Sequence, residues 1–572
     1  VTGVQTCALP ISYTWKLNET TSLGSGSTVQ HSFSEIGVYD IKLSINTLDG
    51  CNDSITKRLM LQPYIKIVDL ESSHYLESFD SNNPYYNWEA KGISMSDSCR
   101  WNLGTPIGSV INYPASGLNS WYTRITDKTN VENSQVISPC FDLSGLKNPM
   151  IKLNIWSSSE YKRDGAVLQY STDQGKTWTN LGSKGEGIGW FDSENIQSQP
   201  GGEKQFYGWN ENPMNEWNTA RHSLDNLIGS TNVRFRIAYA ADGGGISKVD
   251  GFAFDDVWIG DRTQNVIYEY FVNTNIADAQ SYYQQTRELE EDLIEDIIPI
   301  HYHTSYPSGD PFNQFYTSGP SSRVYFYGVS QIPYAQVNGN NSFDFPAGLN
   351  ALTYFKSISD NINIKSLSDP KVDMSISAVK NANTCNIAVS LKHNIDLTGK
   401  MLGMQCAVVK NSLSVSGKVY HNILRSFIPD ASGTAIAGNL SAGESQSINL
   451  SWTPSNSDEF ANSKIIAFVQ DLNTKEIYQA ATFDLSLITG TEPIDIGEMV
   501  NVFPNPVSDL LLVVSEIDIN EIQIFDISGR LVRNYSKLGS NISIPVNDLV
   551  GGVYLLKGST LKGTFVKKFV KQ

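Results

Sequence analysis

Apolar and polar residues alternate along most of this chain, and a period of two is the signature of a strand with one buried face. In YDIKLSI it puts Tyr39, Ile41, Leu43 and Ile45 on one side, and VRFRIAY repeats the pattern near residue 236. Against these many short runs, ADAQSYYQQTRELEEDLIEDI is the one long, strongly helical stretch. A strand hides its apolar face only against another layer, so the pattern demands sheets packed on sheets. The chain is expected to be mainly β and multidomain, with one α/β region around the helix.

The length of 572 residues allows roughly four domains. Formal charge is 42 − 59 = −17, with no Lys/Arg block before the extreme C-terminus. Nucleic acid and anionic membrane are therefore poor partners. No apolar run approaches the roughly 18 residues that span a bilayer, so the chain is not expected to be transmembrane. Few charges with many turn residues and aromatics describe secreted β modules.

The first eleven residues, VTGVQTCALPI, back-translate to a sequence resembling a short-read sequencing adapter. Residues 1–11 are therefore read as translated library sequence; the alternative is a strand, since CALPI is apolar enough to pair. On the first reading the true N-terminus is missing, with its signal peptide and any upstream catalytic domain.

Setting Cys7 aside leaves five cysteines. Cys385 and Cys406 flank NIDLTGK almost symmetrically, and a hairpin there would place them within disulfide reach. Cys99 and Cys140 bracket β-like sequence and form the second expected pair; Cys51 is left over. Without CxxC or zinc-ligand spacing, these cysteines read as staples in an oxidising compartment.

Family resemblances divide the chain further. HSFSEIGVYDIKLSINTLDGC, with YTWKL, resembles part of a PKD domain, giving a partial Ig-like module at 12–63. Residues 64–262 carry nine of the eleven tryptophans and the ordered blocks WNLGTP, SQVISPCFDLSGLKNPMIKLNIW, DGAVLQYSTDQGKTWTNLG and DGFAFDDVWIGD. They resemble a MAM-like jelly roll. At 266–365, VIYEYFVN, the helix, IIPIHYHT and GVSQIPYAQVNG resemble a thioredoxin-like domain, where Pro333 would be the cis proline facing the active site. Residues 370–487 resemble the Ig-like sandwich that follows such modules in outer-membrane lipoproteins. After a linker at 488–498, the blocks NVFPNPVSDLLLVV, IQIFDISGRLV and IPVNDLVGGVYLLKG at 499–572 resemble the type A C-terminal sorting domain of type IX secretion. The fold class is thus Ig-like and jelly-roll β-sandwiches with one α/β thioredoxin-like domain. The resemblance implies export through the type IX machinery and attachment at the outer-membrane surface, commonly to lipopolysaccharide.

In redox thioredoxin-like proteins a CxxC opens the helix; here Ile276 and Ala279 take those two places. Neither ionises, so thiol chemistry is expected to be lost. His301 and His303 share a strand face, but without a third ligand they read as a packed strand rather than a metal pair. STDQGKTW resembles an Asp-box, a hairpin fastener in which Asp173 bonds backbone and Trp178 covers the turn. Glu77, Asp80, Asp255 and Asp256 lie in terminal strands that such folds bring together. They are candidate ligands for a structural calcium, the alternative being that they cap local backbone. Trp190, Trp209 and Trp217, in a Gly/Asn-rich segment, are candidate ligand-binding residues, the alternative being that they pin long loops.

No nucleophile–base–acid set, phosphate loop or catalytic metal motif is visible. The expected function is non-catalytic adhesion or binding of a glycan or extracellular protein at the cell surface. One alternative makes these the accessory domains of a secreted hydrolase, such as a peptidase; a second, disfavoured without CxxC, is redox activity.

Overall fold

The computed structural model describes residues 12–572 except 49, 82–87, 95–96, 125–130, 203–206, 211–214, 244–248, 277–278, 294–296, 345–350, 382–383, 439, 455–458, 461, 489–499, 528–529 and 561–562. Residues 1–11 and, but for Ile488, the 488–498 linker lie outside the described residues. Internal contacts divide the chain into two units. One is Val1–Ile376 with Ala388–Ile448 and Asn462–Phe483; the other is Ser377–Ile387 with Asn449–Ala461 and Asp484–Gln572. Strands dominate throughout, as the alternation requires. Among the described residues no helix is long and apolar enough to cross a membrane.

Strands β1 (Ser12–Leu17), β2 (Thr21–Gly24), β3 (Gly37–Asn46) and β4 (Asn52–Leu61) form one antiparallel sheet in the order β2-β1-β3-β4. Only Gly37 of β3 is buried, and Ile55 of β4 is 67% exposed. The alternation of YDIKLSI is real, but a single layer leaves it little to bury against.

A sandwich follows, built from β5 (Tyr64–Lys66), β6 (Tyr75–Glu77), β7 (Glu89–Gly92), β8 (Trp101–Gly104), β9 (Ser120–Thr123), β10 (Val131–Ile137), β11 (Cys140–Asp142), β12 (Pro149–Ser158), β13 (Gly165–Ser171), β14 (Thr179–Asn180), β15 (Asn218–Ser223), β16 (Arg234–Asp242) and β17 (Gly251–Asp261). One sheet runs β14-β13-β16-β10-β7 and the other β15-β12-β17-β9-β8, with β6 on β17. Phe235, Ile237 and Tyr239 of β16 and Phe252, Phe254 and Val257 of β17 are fully buried in the shared core. Arg236, in the polar phase of β16, is not on a wet face. It is buried, donates to Gln135, Gln169 and the Gly201 carbonyl, and lies 4.5 Å from the Trp178 ring. The loops between β13 and β15 cover that side.

The α/β region is β18 (Val266–Val272), α1 (Ala279–Asp292), β19 (Ile297–His303), α2 (Pro311–Phe315), α3 (Ser318–Tyr327), β20 (Tyr334–Val337), β21 (Asn341–Asp344) and α4 (Ala351–Ser366). β18 and β19 are parallel, and β20 runs antiparallel to β18. Next come β22 (Val372–Asn381), β23 (Thr384–His393), β24 (Leu402–Val415), β25 (Lys418–Phe427), β26 (Thr434–Ile436), β27 (Ser445–Trp452), β28 (Ser463–Asp471) and β29 (Ile477–Asp484). A single sheet runs β21-β20-β18-β19-β25-β24-β28-β29, because β25 pairs in parallel with the outer edge of β19 at His301 and Ile423. An open edge is a hazard in a sheet, and β25 closes this one.

The expected hairpin around NIDLTGK does not form. β23 pairs with β22 and β27, whereas β24 pairs with β25, β26 and β28. Cys385 is a free thiol, so the Cys385–Cys406 staple is absent; Cys99 and Cys140 are also free, one exposed and one buried. Symmetry about a turn does not bring two strands together when each has better-matched partners elsewhere.

The C-terminal segment contains β30 (Val500–Phe503), β31 (Leu510–Asp526), β32 (Leu531–Pro545), β33 (Gly552–Thr560) and β34 (Gly563–Lys571), in the order β30-β31-β33-β34 with β32 on β31. Ile522, Ile524, Leu556 and Phe569 fill its own core.

Candidate functional site

Strand β12 reads PMIKLNIWSS. Ile151, Leu153 and Ile155 face the sandwich core, so Lys152, Asn154 and Trp156 fall on the outer face. A tryptophan in the polar phase needs its own cover. Trp156 packs with Ile111, Tyr122 and Ala253, and is only 2% exposed. Tyr113 meets it edge-on at 5.1 Å between ring centroids, and Trp217 does so at 5.7 Å. Trp217 donates its indole N–H to the Tyr113 carbonyl at 3.0 Å. Tyr113 remains 49% exposed and Trp217 half-buried, while the buried Trp156 N–H finds no hydrogen-bond partner among the described residues.

Polar groups border this trio. At Asp256 the strand bulges, with a backbone φ of 51°, where the β12–β17 register shifts. Asp256 accepts the Ser116 hydroxyl at 2.7 Å and the Asn154 amide at 2.9 Å, and Asn154 accepts the Thr219 hydroxyl at 2.8 Å. Asp255, fully buried, accepts the backbone N–H groups of Ala115 and Ser116. Burial, with Asp256 alongside, pushes the Asp255 carboxyl up to about 7 against the opposing pull of those N–H groups.

The four carboxylates expected to hold calcium are brought together in part: β6 pairs with β17, with Glu77 opposite Val257. Glu77, Asp80 and Asp255 accept backbone N–H groups, and Asp256 accepts side chains. Asp80 accepts the N–H groups of Leu118 and Asn119, and Glu77 accepts that of Phe79. Gly117, at φ 55°, lies against the Asp80 carboxylate where a side chain would collide. Among the described residues no three His, Cys, Asp or Glu side chains gather to hold a metal ion. The loop over Trp156 is thus clamped by Asp80, Asp255 and Asp256, and by Asp250 at Ile111.

Of the three candidate tryptophans, two are corrected. Trp190 and Trp209 are 3% and 1% exposed, with their N–H groups on the carbonyls of Leu181 and Gly189. They pin loops to the core. Only Trp217 stays near the surface. Tyr113, Asn154, Trp156 and Thr219 were not anticipated; the legible signal was a tryptophan in the outward phase of β12. The Asp173 turn forms as expected, accepting the N–H groups of Lys176 and Thr177, with the Trp178 N–H on Gly175.

In the α/β region, Ile276 is half-buried three residues before α1, which begins at Ala279; the Ile332–Pro333 bond is cis, leading into β20. His301 Nε2 lies 2.5 Å from Glu290, and His303 Nδ1 lies 3.1 Å from Asp310. Both histidines are buried, so each serves the interior.

Residues 501–572 match the family described as the Secretion system C-terminal sorting domain. The chain is a type IX secretion cargo, exported to the cell surface. No curated protein matches it. Among solved structures, HBP35 of Porphyromonas gingivalis is 18% identical to the cargo, aligned over 54% of this chain and 99% of its own, with a TM-score of 0.34. The K1 cleaved adhesin domain of Lys-gingipain from the same organism is 12% identical over 33% of this chain and 99% of its own, with a TM-score of 0.20. A domain of its outer membrane lipoprotein Omp28 is 16% identical over 20% of this chain and 88% of its own, with a TM-score of 0.16.

Proposed function

We propose that this cargo is a non-catalytic surface adhesin whose tryptophan-rich sandwich, a MAM-like jelly roll, binds a glycan on the outer face of β12. The observation that carries the reading is the trio Tyr113–Trp156–Trp217 beside Asn154, Asp256 and Thr219. Sugar rings present C–H faces that pack on aromatic rings, and hydroxyls that pair with carboxylates and amides.

On this reading 12–63 is a PKD-like spacer and 370–487 an Ig-like one. The region 266–365 is a thioredoxin-like scaffold without redox chemistry, a view supported by its parallel β18–α1–β19 unit and by Pro333 before β20. Attachment to surface lipopolysaccharide after removal of the tail completes the proposal. Glycan-array binding by the full chain tests it. Trp217→Ala and Tyr113→Ala should each abolish or weaken array signals in chains that still melt cooperatively; equal signals from wild type and both variants would remove the idea.

A further inference from the structure

A second concavity lies in the α/β region. It has a volume of about 510 Å³, within the range of small-molecule sites. Its walls are Thr304–Tyr306 after β19, the outward side of α3, and the return segment Val329–Ile332. The sequence builds this shape directly. Arg323 points inward to Glu269, which fixes α3 on the sheet and turns Tyr325 out to solvent at 90% exposure. Gly328, at φ 72°, closes the helix by donating to the Val324 and Tyr325 carbonyls, and Val329 N–H also returns to Val324. That reversal carries the chain back along α3 as the opposite wall.

The lining chemistry selects an occupant. Val324 and Ile332 supply apolar surface, Tyr306 and Tyr325 are the lining rings, 65% and 90% exposed, and Ser321 and Gln331 offer neutral hydrogen-bond groups. Every lining residue described is uncharged. An ion entering such a site loses hydration without gaining a counter-charge, so charged ligands are disfavoured. The −17 charge of the chain disfavours anions further. We propose that this pocket binds an uncharged, ring-bearing small molecule, with the ring held between Tyr306 and Tyr325.

The probe for the full chain is N-phenyl-1-naphthylamine, an uncharged naphthalene whose fluorescence rises in apolar surroundings. One saturable site per chain is expected, insensitive to added salt. Ser321→Trp fills the pocket from an exposed helix position and should weaken binding about tenfold or more. Tyr325→Ala should weaken it by roughly threefold to tenfold. Both positions are exposed, so melting curves should not change. The sulfonated analogue 8-anilinonaphthalene-1-sulfonate should bind more weakly than the neutral probe. Absence of saturable binding, unchanged affinity in either variant, or equal affinity for the sulfonate overturns the proposal.

Discussion

Arg323 and Glu269 meet as a two-pronged ion pair in the interior, Nε to Oε1 at 2.8 Å and Nη2 to Oε2 at 2.9 Å. Arg323 is 2% exposed and Glu269 fully buried. The Tyr302 hydroxyl also donates to Glu269, and Gln470 accepts from Arg323 at 3.0 Å. One charge pair therefore ties α3, β18, β19 and β28 together, which the pairing of β25 with β19 makes possible.

Removing one partner leaves the other charge buried and uncompensated. Arg323→Met should lower stability by about 3–5 kcal/mol, whereas Arg323→Met combined with Glu269→Leu should lose much less. Urea unfolding of the three proteins measures both.

Two parts of the chain should respond to pH in opposite directions. The folded state holds the Asp255 proton more tightly than the unfolded chain, so its contribution to stability is full below about 4 and is lost as pH rises through about 7. Asp164, pushed up to about 6 by burial, adds in the same direction. His303 behaves inversely. Burial keeps it below 6.5 despite Asp310 beside it, and nearby His301 adds to the depression. Its contribution is present above 6.5 and lost as pH falls through the folded value. Hydrogen exchange at pH 8 and pH 5, corrected for intrinsic rates, should show β12 and β17 gaining protection on acidification while β18 and β19 lose it. Asp255→Asn should shrink the gain.

Asp80→Ala removes the acceptor for two N–H groups of the loop over Trp156. The expected loss is about 1–3 kcal/mol of local stability, read as faster exchange at Leu118 and Asn119. Glycan binding should weaken with it, because the loop positions Tyr113.

Cys51 and Cys99 are exposed thiols and should react with Ellman's reagent in the native protein. Burial pushes the Cys385 thiol up to about 11, so it should react only after unfolding. Non-reducing electrophoresis after proteolysis should show no bridge from Cys385 to Cys406 or from Cys99 to Cys140.

An insulin-reduction assay should give no turnover. Ile276 and Ala279 carry no thiol for disulfide exchange, whatever the geometry near Pro333.

Much of the architecture follows from local pattern. Alternation gave sheets, and the stretch around residue 285 gave α1, whereas α4 (Ala351–Ser366), a longer helix, was not anticipated. The neighbourhood of ESFDS and FDD was also legible, since β6 does pair with β17. Side-chain fate was less so. Trp190 and Trp209 sit in a polar-looking segment, yet that segment folds back over the core and buries them.

The sequence by itself determined that strands dominate, where α1 lies and that the tail is a sorting domain, because periodicity and motif act over a few adjacent residues. Only the tertiary structure decided that β25 completes the sheet begun by β18, that Cys385 faces no sulfur partner, and that four acidic groups clamp one loop. Those outcomes depend on segments well separated in the chain competing for the same edges and faces, and no local pattern records which one wins.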